Sequence, residues 1–248
     1  MLLCCLFLLI AKDLIENAKY EETKIQITLP KDSTLTASAA GGWSAVLSEK
    51  YEIQGIIFPK GTKLEFYSHK CLKSAYLPSS CEIGGIIWPG GSWVEFQYGG
   101  GHKGDKAQLS RAKLLEDKEI QGIIFPKGSQ VTFSNGLLEH VMLPAGCEIE
   151  IQGIPCLEEL TFQRPRTEVC ATRLARNYEI EGIAFPRGSL IEFWYSGKLR
   201  RAIFGSDIEI SGKKYLKGQR VAFDEKTGNI IEDKSMDPWR IKTDLSDF

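Results

Sequence analysis

One motif, repeated along the chain, constrains the fold more than any other feature. The string YEIQGIIFPKGTKLEF begins at Tyr51, CEIGGIIWPGGSWVEF at Cys81, KEIQGIIFPKGSQVTF at Lys118 and YEIEGIAFPRGSLIEF at Tyr178. Weaker copies are ITLPKDSTL from Ile27, IQGIPCLEELTF from Ile151 and IEISGKKYLKGQRVAF from Ile208. The turn prolines Pro30, Pro59, Pro89, Pro126 and Pro186 are separated by 29, 30, 37 and 60 residues, and Leu216 replaces the next one. Seven units of about 30 residues then cover residues 24–232, a period that belongs to repeat architectures. The step of 37 holds a Gly-rich insertion, Tyr98 to Lys106. The copy from Gly153 to Phe162 lacks two residues at the Pro-Lys-Gly turn, which reads as a shortened turn.

Each unit reads as three β segments. The first, as in Glu52 to Phe58, reads as one strand. Pro-x-Gly-Ser/Thr follows, with Pro fixing φ and Gly accepting a positive φ. The second segment alternates, with Leu64 and Phe66 on one face and Glu65 on the other, and the pairs Val94/Phe96, Val131/Phe133, Leu160/Phe162, Ile191/Phe193 and Val221/Phe223 repeat it. Turns such as Ser134-Asn135-Gly136, Ser196-Gly197 and Thr227-Gly228-Asn229 lead to a third segment, in phase at Ala75/Leu77, Ala112/Leu114, Val141/Leu143 and Ala202/Phe204. No helical periodicity appears inside the repeats. The expected fold is all-β: tandem units of about 30 residues forming an extended antiparallel meander, with up to about twenty strands stacked because no unit buries its apolar face alone. A three-sided parallel β-solenoid is the alternative, with the Asn-Gly turns as corners. Apolar residues on both faces of the first segment, at Ile56, Ile57 and Phe58, favour a closed or two-layer core.

Residues 1–23 stand outside the repeats. Met1 to Ile10 (MLLCCLFLLI) is wholly apolar, too short to span a bilayer as a helix, and matches the apolar part of an export signal, although no basic residue precedes it. Cys4 and Cys5 suggest a lipid anchor as the second reading. Residues 233–248 read as a polar tail in which Trp239 folds back onto the last unit. The chain carries 31 Lys+Arg against 32 Asp+Glu, a balance that argues against nucleic acid as a partner.

Chemistry-bearing residues are sparse. Seven cysteines contain no Cys-x-x-Cys pair, so a zinc site has little support. Cys81 and Cys147 occupy one slot at unit boundaries, where an inter-unit disulfide or two free thiols would fit. Of the three His, His102 lies in the insertion, and His69 and His140 lie near turns or third segments. Glu52, Glu82, Glu119, Glu179 and Glu209 recur once per unit and read as solvent-facing strand residues that blunt edge pairing. Phe58, Trp88, Phe125, Phe185 and Tyr215 precede the turn and read as core. Trp93, Tyr67, Tyr98, Trp194 and Tyr195 are the candidates for an exposed binding stripe. No catalytic, cofactor-binding or metal-ligating set emerges, so the expected protein is not an enzyme and has no cofactor.

The pattern A-x-L-x-x-x-x-E-I-x-G-I-x-F-P-x-G-S/T-x-V-x-F-x-x-x-G-x-L resembles the tandem repeats of uncharacterised bacterial proteins, including spirochaete cell-envelope proteins, and is more distantly similar to MORN-type hairpin repeats. It covers most of the chain; Leu216, the altered turn at Cys156 to Glu159 and the weak opening unit depart from it. The resemblance implies a bacterial, exported, non-enzymatic protein with no catalytic residue to carry over. The expected function is a structural or interaction protein of the cell envelope, either secreted or envelope-bound, with a protein partner. The alternative is a carrier that holds a lipid or glycan in an apolar groove of the curled sheet.

Overall fold

The computed structural model describes residues 28–37, 42–68, 71–97, 106–163, 165 and 167–231. The readings of residues 1–23, of the 233–248 tail, and of His69, Tyr98 and His102 lie outside them. The described residues form strands and turns, with no helix among them. A fifteen-stranded antiparallel sheet dominates, with fourteen strands in one path and Glu148–Ile151 paired off that path with Ile154–Phe162. Its order is that of the chain: Thr34–Ala37, Trp43–Val46, Lys63–Phe66, Leu72–Tyr76, Trp93–Phe96, Leu109–Lys113, Gln130–Ser134, Leu137–Met142, Ile154–Phe162, Val169–Leu174, Leu190–Phe193, Leu199–Ile203, Arg220–Phe223 and Ile230–Ile231. Its first and last strands do not pair, so the sheet is an open meander. That excludes the parallel solenoid, because every strand pair is antiparallel.

The first segment of each unit differs from the sequence reading. It is two strands folded on themselves. Tyr51–Ile53 pairs with Ile56–Phe58, and the same hairpin recurs at Cys81–Ile83/Ile86–Trp88, Lys118–Ile120/Ile123–Phe125, Tyr178–Ile180/Ile183–Phe185 and Ile208–Ile210/Lys213–Tyr215. The two turn residues both have positive φ, 49° and 77° at Gln54-Gly55 and 52° and 82° at Gln121-Gly122. That is the type I′ turn, whose twist matches a two-residue hairpin. Gln is a poor left-handed residue, and a hydrogen bond compensates: Gln54 Oε1 accepts from the Leu72 amide at 3.1 Å, Gln121 Oε1 from Leu138 at 3.2 Å, and Glu181 Oε1 from Leu199 at 3.0 Å.

The hairpins form a second layer on one face of the large sheet. A unit contributes two strands to each layer, so both advance by about 10 Å per unit and stay in step. The buried row of the large sheet runs in register through Ala45, Leu64, Ala75, Val94, Ala112 and Val131, and on through Val141, Leu160, Thr172, Ile191, Ala202 and Val221. All are buried, and small residues often face large ones. Above the row sit the hairpin aromatics Phe58, Trp88, Phe125, Phe185 and Tyr215, all buried as the sequence indicated. Three reach the following unit: Phe58 meets Phe96 at 6.3 Å, Phe125 meets Phe162 at 6.2 Å and Phe185 meets Phe223 at 6.3 Å between ring centroids. All three are edge-to-face contacts, a favoured aromatic geometry.

The apolar first segment therefore does not imply closure. Ile53 and Ile56 point into the core, whereas Ile57 points out. The altered copy also differs from its reading. Its turn is not shortened but absent: Ile154–Phe162 is one nine-residue strand that passes from hairpin to large sheet, with Glu158 at φ 62° where the register shifts. Where Leu216 replaces the turn Pro, the turn survives. Leucine brings an amide that proline lacks, and Gln219 Oε1 accepts from it at 3.0 Å.

Phe125→Ala is expected to lower the unfolding free energy by about 3–5 kcal/mol, because it leaves a cavity between units. Its neighbour Ile124, outside the core, should tolerate alanine within about 0.5 kcal/mol. Paired urea melts measure both, and equal costs would refute the two-layer packing.

Candidate functional site

The face of the large sheet away from the hairpins is polar. Its central row is Ser44, Glu65, Ser74, Glu95, Arg111, Thr132, His140, Thr161, Ala171, Glu192 and Arg201, each opposite the next. A β-bulge interrupts the pairing in five hairpins of the large sheet. It places an extra residue, Lys73, Ser110, Glu139, Cys170 or Arg200, between residues that pair in the ladder. Bulges re-aim side chains in this way. Two residues per third strand thus serve the polar face, against one from its partner.

The electrostatics of this row change along the sheet. Near one end Glu65 meets Lys73 at 3.4 Å and accepts from Ser74 Oγ at 3.0 Å, with the ion pair in solvent. Arg111 lies 4.0 Å from Glu95, also exposed. In the middle His140 Nε2 is hydrogen-bonded to Glu159 Oε1. Farther on, Glu192 is fully buried and holds Arg200 Nη1 at 2.6 Å and Arg201 Nη1 at 3.4 Å. The Arg200 guanidinium lies 4.7 Å from the centre of the Trp194 ring.

Between the His140–Glu159 pair and the Glu192 cluster the sheet opens into a pocket of about 390 Å³, lined by Glu139, His140, Thr161, Phe162, Gln163, Cys170 and Tyr195. The bulges build it, since Glu139 and Cys170 are both bulge residues. The sequence reading placed His140 near a turn or third segment and did not find Gln163, Cys170 or Glu139. A signal was present: apolar residues in the third strands, such as Leu72 and Ala75 or Leu138 and Val141, are three apart rather than two. That spacing breaks strand alternation and marks a bulge.

The opposite, outer surface carries the other repeated feature. Ile57, Ile87 and Ile124 are 53%, 59% and 66% exposed on three successive hairpins. Each stands across from a glutamate, Glu52, Glu82 or Glu119, also exposed. Glu179 and Glu209 are exposed as well, so this ladder faces solvent as expected. Among the described residues no three His, Cys, Asp or Glu converge to hold a metal. The proposed aromatic stripe does not exist as one surface. Trp93 pairs with Tyr76 near the start of the sheet, whereas Tyr195 rims the pocket and Trp194 is half-buried under Arg200.

The five described cysteines are free thiols. Cys81 donates from Sγ to the Ile57 carbonyl at 3.4 Å, a link between adjacent hairpins. Burial raises the pKa of Cys71 and Cys81. Burial pushes Cys156 up to about 11, partly offset by hydrogen bonding with Thr172 and the Ile151 backbone.

No protein family matches the chain, and no curated protein matches it significantly.

Glu192→Ala removes the buried carboxylate that holds Arg201 and the part-buried Arg200 and should cost about 3–5 kcal/mol in a urea melt. Glu65→Ala, at the equivalent exposed position, should cost below about 1 kcal/mol. For Cys156 the folded pKa lies above the unfolded one, so its contribution is complete below about pH 8.5 and fades as pH rises towards 11. The stability difference between wild type and Cys156→Ala should therefore shrink between pH 8 and 10.5. A constant difference would place the thiol in a solvated setting.

Proposed function

We propose that the chain is a non-enzymatic interaction scaffold of the bacterial cell envelope, kin to the tandem β-repeat envelope proteins it resembles, and that a protein partner binds its hairpin layer. The observation that carries this reading is the column of Ile57, Ile87 and Ile124. Isoleucines in solvent at matched positions on successive hairpins are unfavourable for an isolated chain, and a repeated apolar strip rimmed by charge is what an interface core with a polar rim needs. Solenoid and repeat arrays offer such extended surfaces. The carrier reading has weaker support, because the hairpins already fill the apolar face of the sheet.

A photo-crosslinking residue at Ile57, Ile87 or Ile124 in native cells should give one discrete protein adduct, and none should form from Lys226, exposed on a distant turn. Replacing all three isoleucines by serine should remove the adduct and leave the melting temperature within a few degrees of the original. No adduct, or the same adduct from Lys226, would overturn the proposal, and a lipid adduct would favour the carrier. Protease treatment of intact cells beside a cytoplasmic control places the protein, and survival until the cytoplasm is breached would end the envelope assignment.

A further inference from the structure

We infer that the polar-face pocket is a binding site for a neutral saccharide unit, with Gln163 as its buried anchor and Tyr195 as its stacking platform. Gln163 is 3% exposed. Its Nε2 donates to the Trp194 carbonyl at 2.8 Å, which fixes the amide. Its Oε1 is buried and accepts no hydrogen bond among the described residues. Buried acceptors are nearly always satisfied, and one left open costs the desolvation of the group. A donor from outside the chain removes that cost.

The surroundings select the donor. The pocket is of the size that takes small ligands. The strongest charges around it are already matched, His140 with Glu159, and Arg200 and Arg201 with Glu192. The lining carries the Glu139 carboxylate and no Lys or Arg, so an anionic ligand would enter without a dedicated counter-charge. The Thr161 and Tyr195 hydroxyls can each donate or accept, and the Glu139 carboxylate accepts. A polyol matches this mixture, since every hydroxyl offers both roles. Tyr195 is 66% exposed at the rim, and its ring presents a flat apolar face to the C–H face of a pyranose. Fatty chains are disfavoured by the polar lining.

This site lies on the face opposite the isoleucine column, so it stands or falls separately from the interaction proposal. The test uses the full chain and four probes, glucose, galactose, mannose and N-acetylglucosamine, in saturation-transfer NMR at about 10 mM, a concentration that detects millimolar affinity. At least one probe should receive saturation at its ring protons. Tyr195→Ala removes only an exposed ring and should weaken the binding constant about tenfold or more. Gln163→Leu, which removes the acceptor, should do the same. Trp93→Ala, an exposed aromatic elsewhere on the sheet, should change nothing. Absence of transfer to all four probes would overturn the inference. Transfer unchanged by Tyr195→Ala, or binding of lysine amide in preference to every sugar, would overturn it too.

Discussion

The fold depends on one reciprocal pair of backbone hydrogen bonds made where each unit meets the one before. The glycine of the Pro-x-Gly-Ser/Thr turn donates to the carbonyl of the leucine at the end of the preceding third segment, and that leucine's amide donates back to the Ser/Thr carbonyl. Gly91 to Leu77 and Leu77 to Ser92 measure 2.7 and 2.9 Å, Gly128 to Leu114 and Leu114 to Ser129 measure 2.8 and 2.9 Å, and Gly188 to Leu174 and Leu174 to Ser189 measure 2.8 and 2.9 Å. The geometry needs a left-handed residue at the turn, with φ of 89°, 90° and 79° at the three glycines, where glycine is free of strain. It also explains the residue after glycine. Thr62, Ser92, Ser129 and Ser189 are all fully buried, and the Thr62 and Ser129 hydroxyls donate back to the turn proline's carbonyl at 2.7 Å. An apolar side chain there would leave that carbonyl with one bond fewer.

Where this contact lapses, the core changes character. At the altered copy the reciprocal pair is reduced to a single bond, Leu143 N to Glu158 O. The apolar interior divides at the same place. One cluster runs from Ala45 to Val169 and another from Leu174 to Phe223, with Ile154 packed against both. The continuous ladder of Ile154–Phe162 with its neighbours carries the mechanical link there instead. In a quasi-one-dimensional array, stability is a sum of units and interfaces, so a changed interface is where cooperativity is weakest.

The meander, the buried aromatics and the solvent-facing glutamates were legible in the sequence because each rests on local periodicity or turn chemistry. The hairpin inside Glu-Ile-x-Gly-Ile-x-Phe was not, because its turn lacks Asn-Gly or Asp-Gly. At Gln54 and Gln121 the left-handed position is supported by side-chain bonds to amides 18 and 17 residues later, a tertiary effect. The copy with Gly84-Gly85 has no such side chain, and it is the copy that carries the insertion. The pocket was hidden for a different reason. Its residues come from three strands and a turn, Glu139 and His140, Thr161 and Gln163, Cys170, and Tyr195, and only the register of the sheet brings them together.

The bulges explain how one repeating fold can hold a site that does not repeat. In a regular strand, alternation ties each polar position to an apolar one, so altering one face constrains the other. With one extra residue per third strand, the apolar face keeps Leu72 and Ala75, Leu138 and Val141, or Leu199 and Ala202, while the polar face receives two side chains. Those pairs are Lys73/Ser74, Ser110/Arg111, Glu139/His140, Cys170/Ala171 and Arg200/Arg201. They differ in charge and size from unit to unit at little cost to the layer beneath. The pocket uses three of these side chains, Glu139, His140 and Cys170, from two different pairs. The face that folds the chain and the face that varies are thus chemically separate, which is the condition for a repeat array to acquire a single specific site.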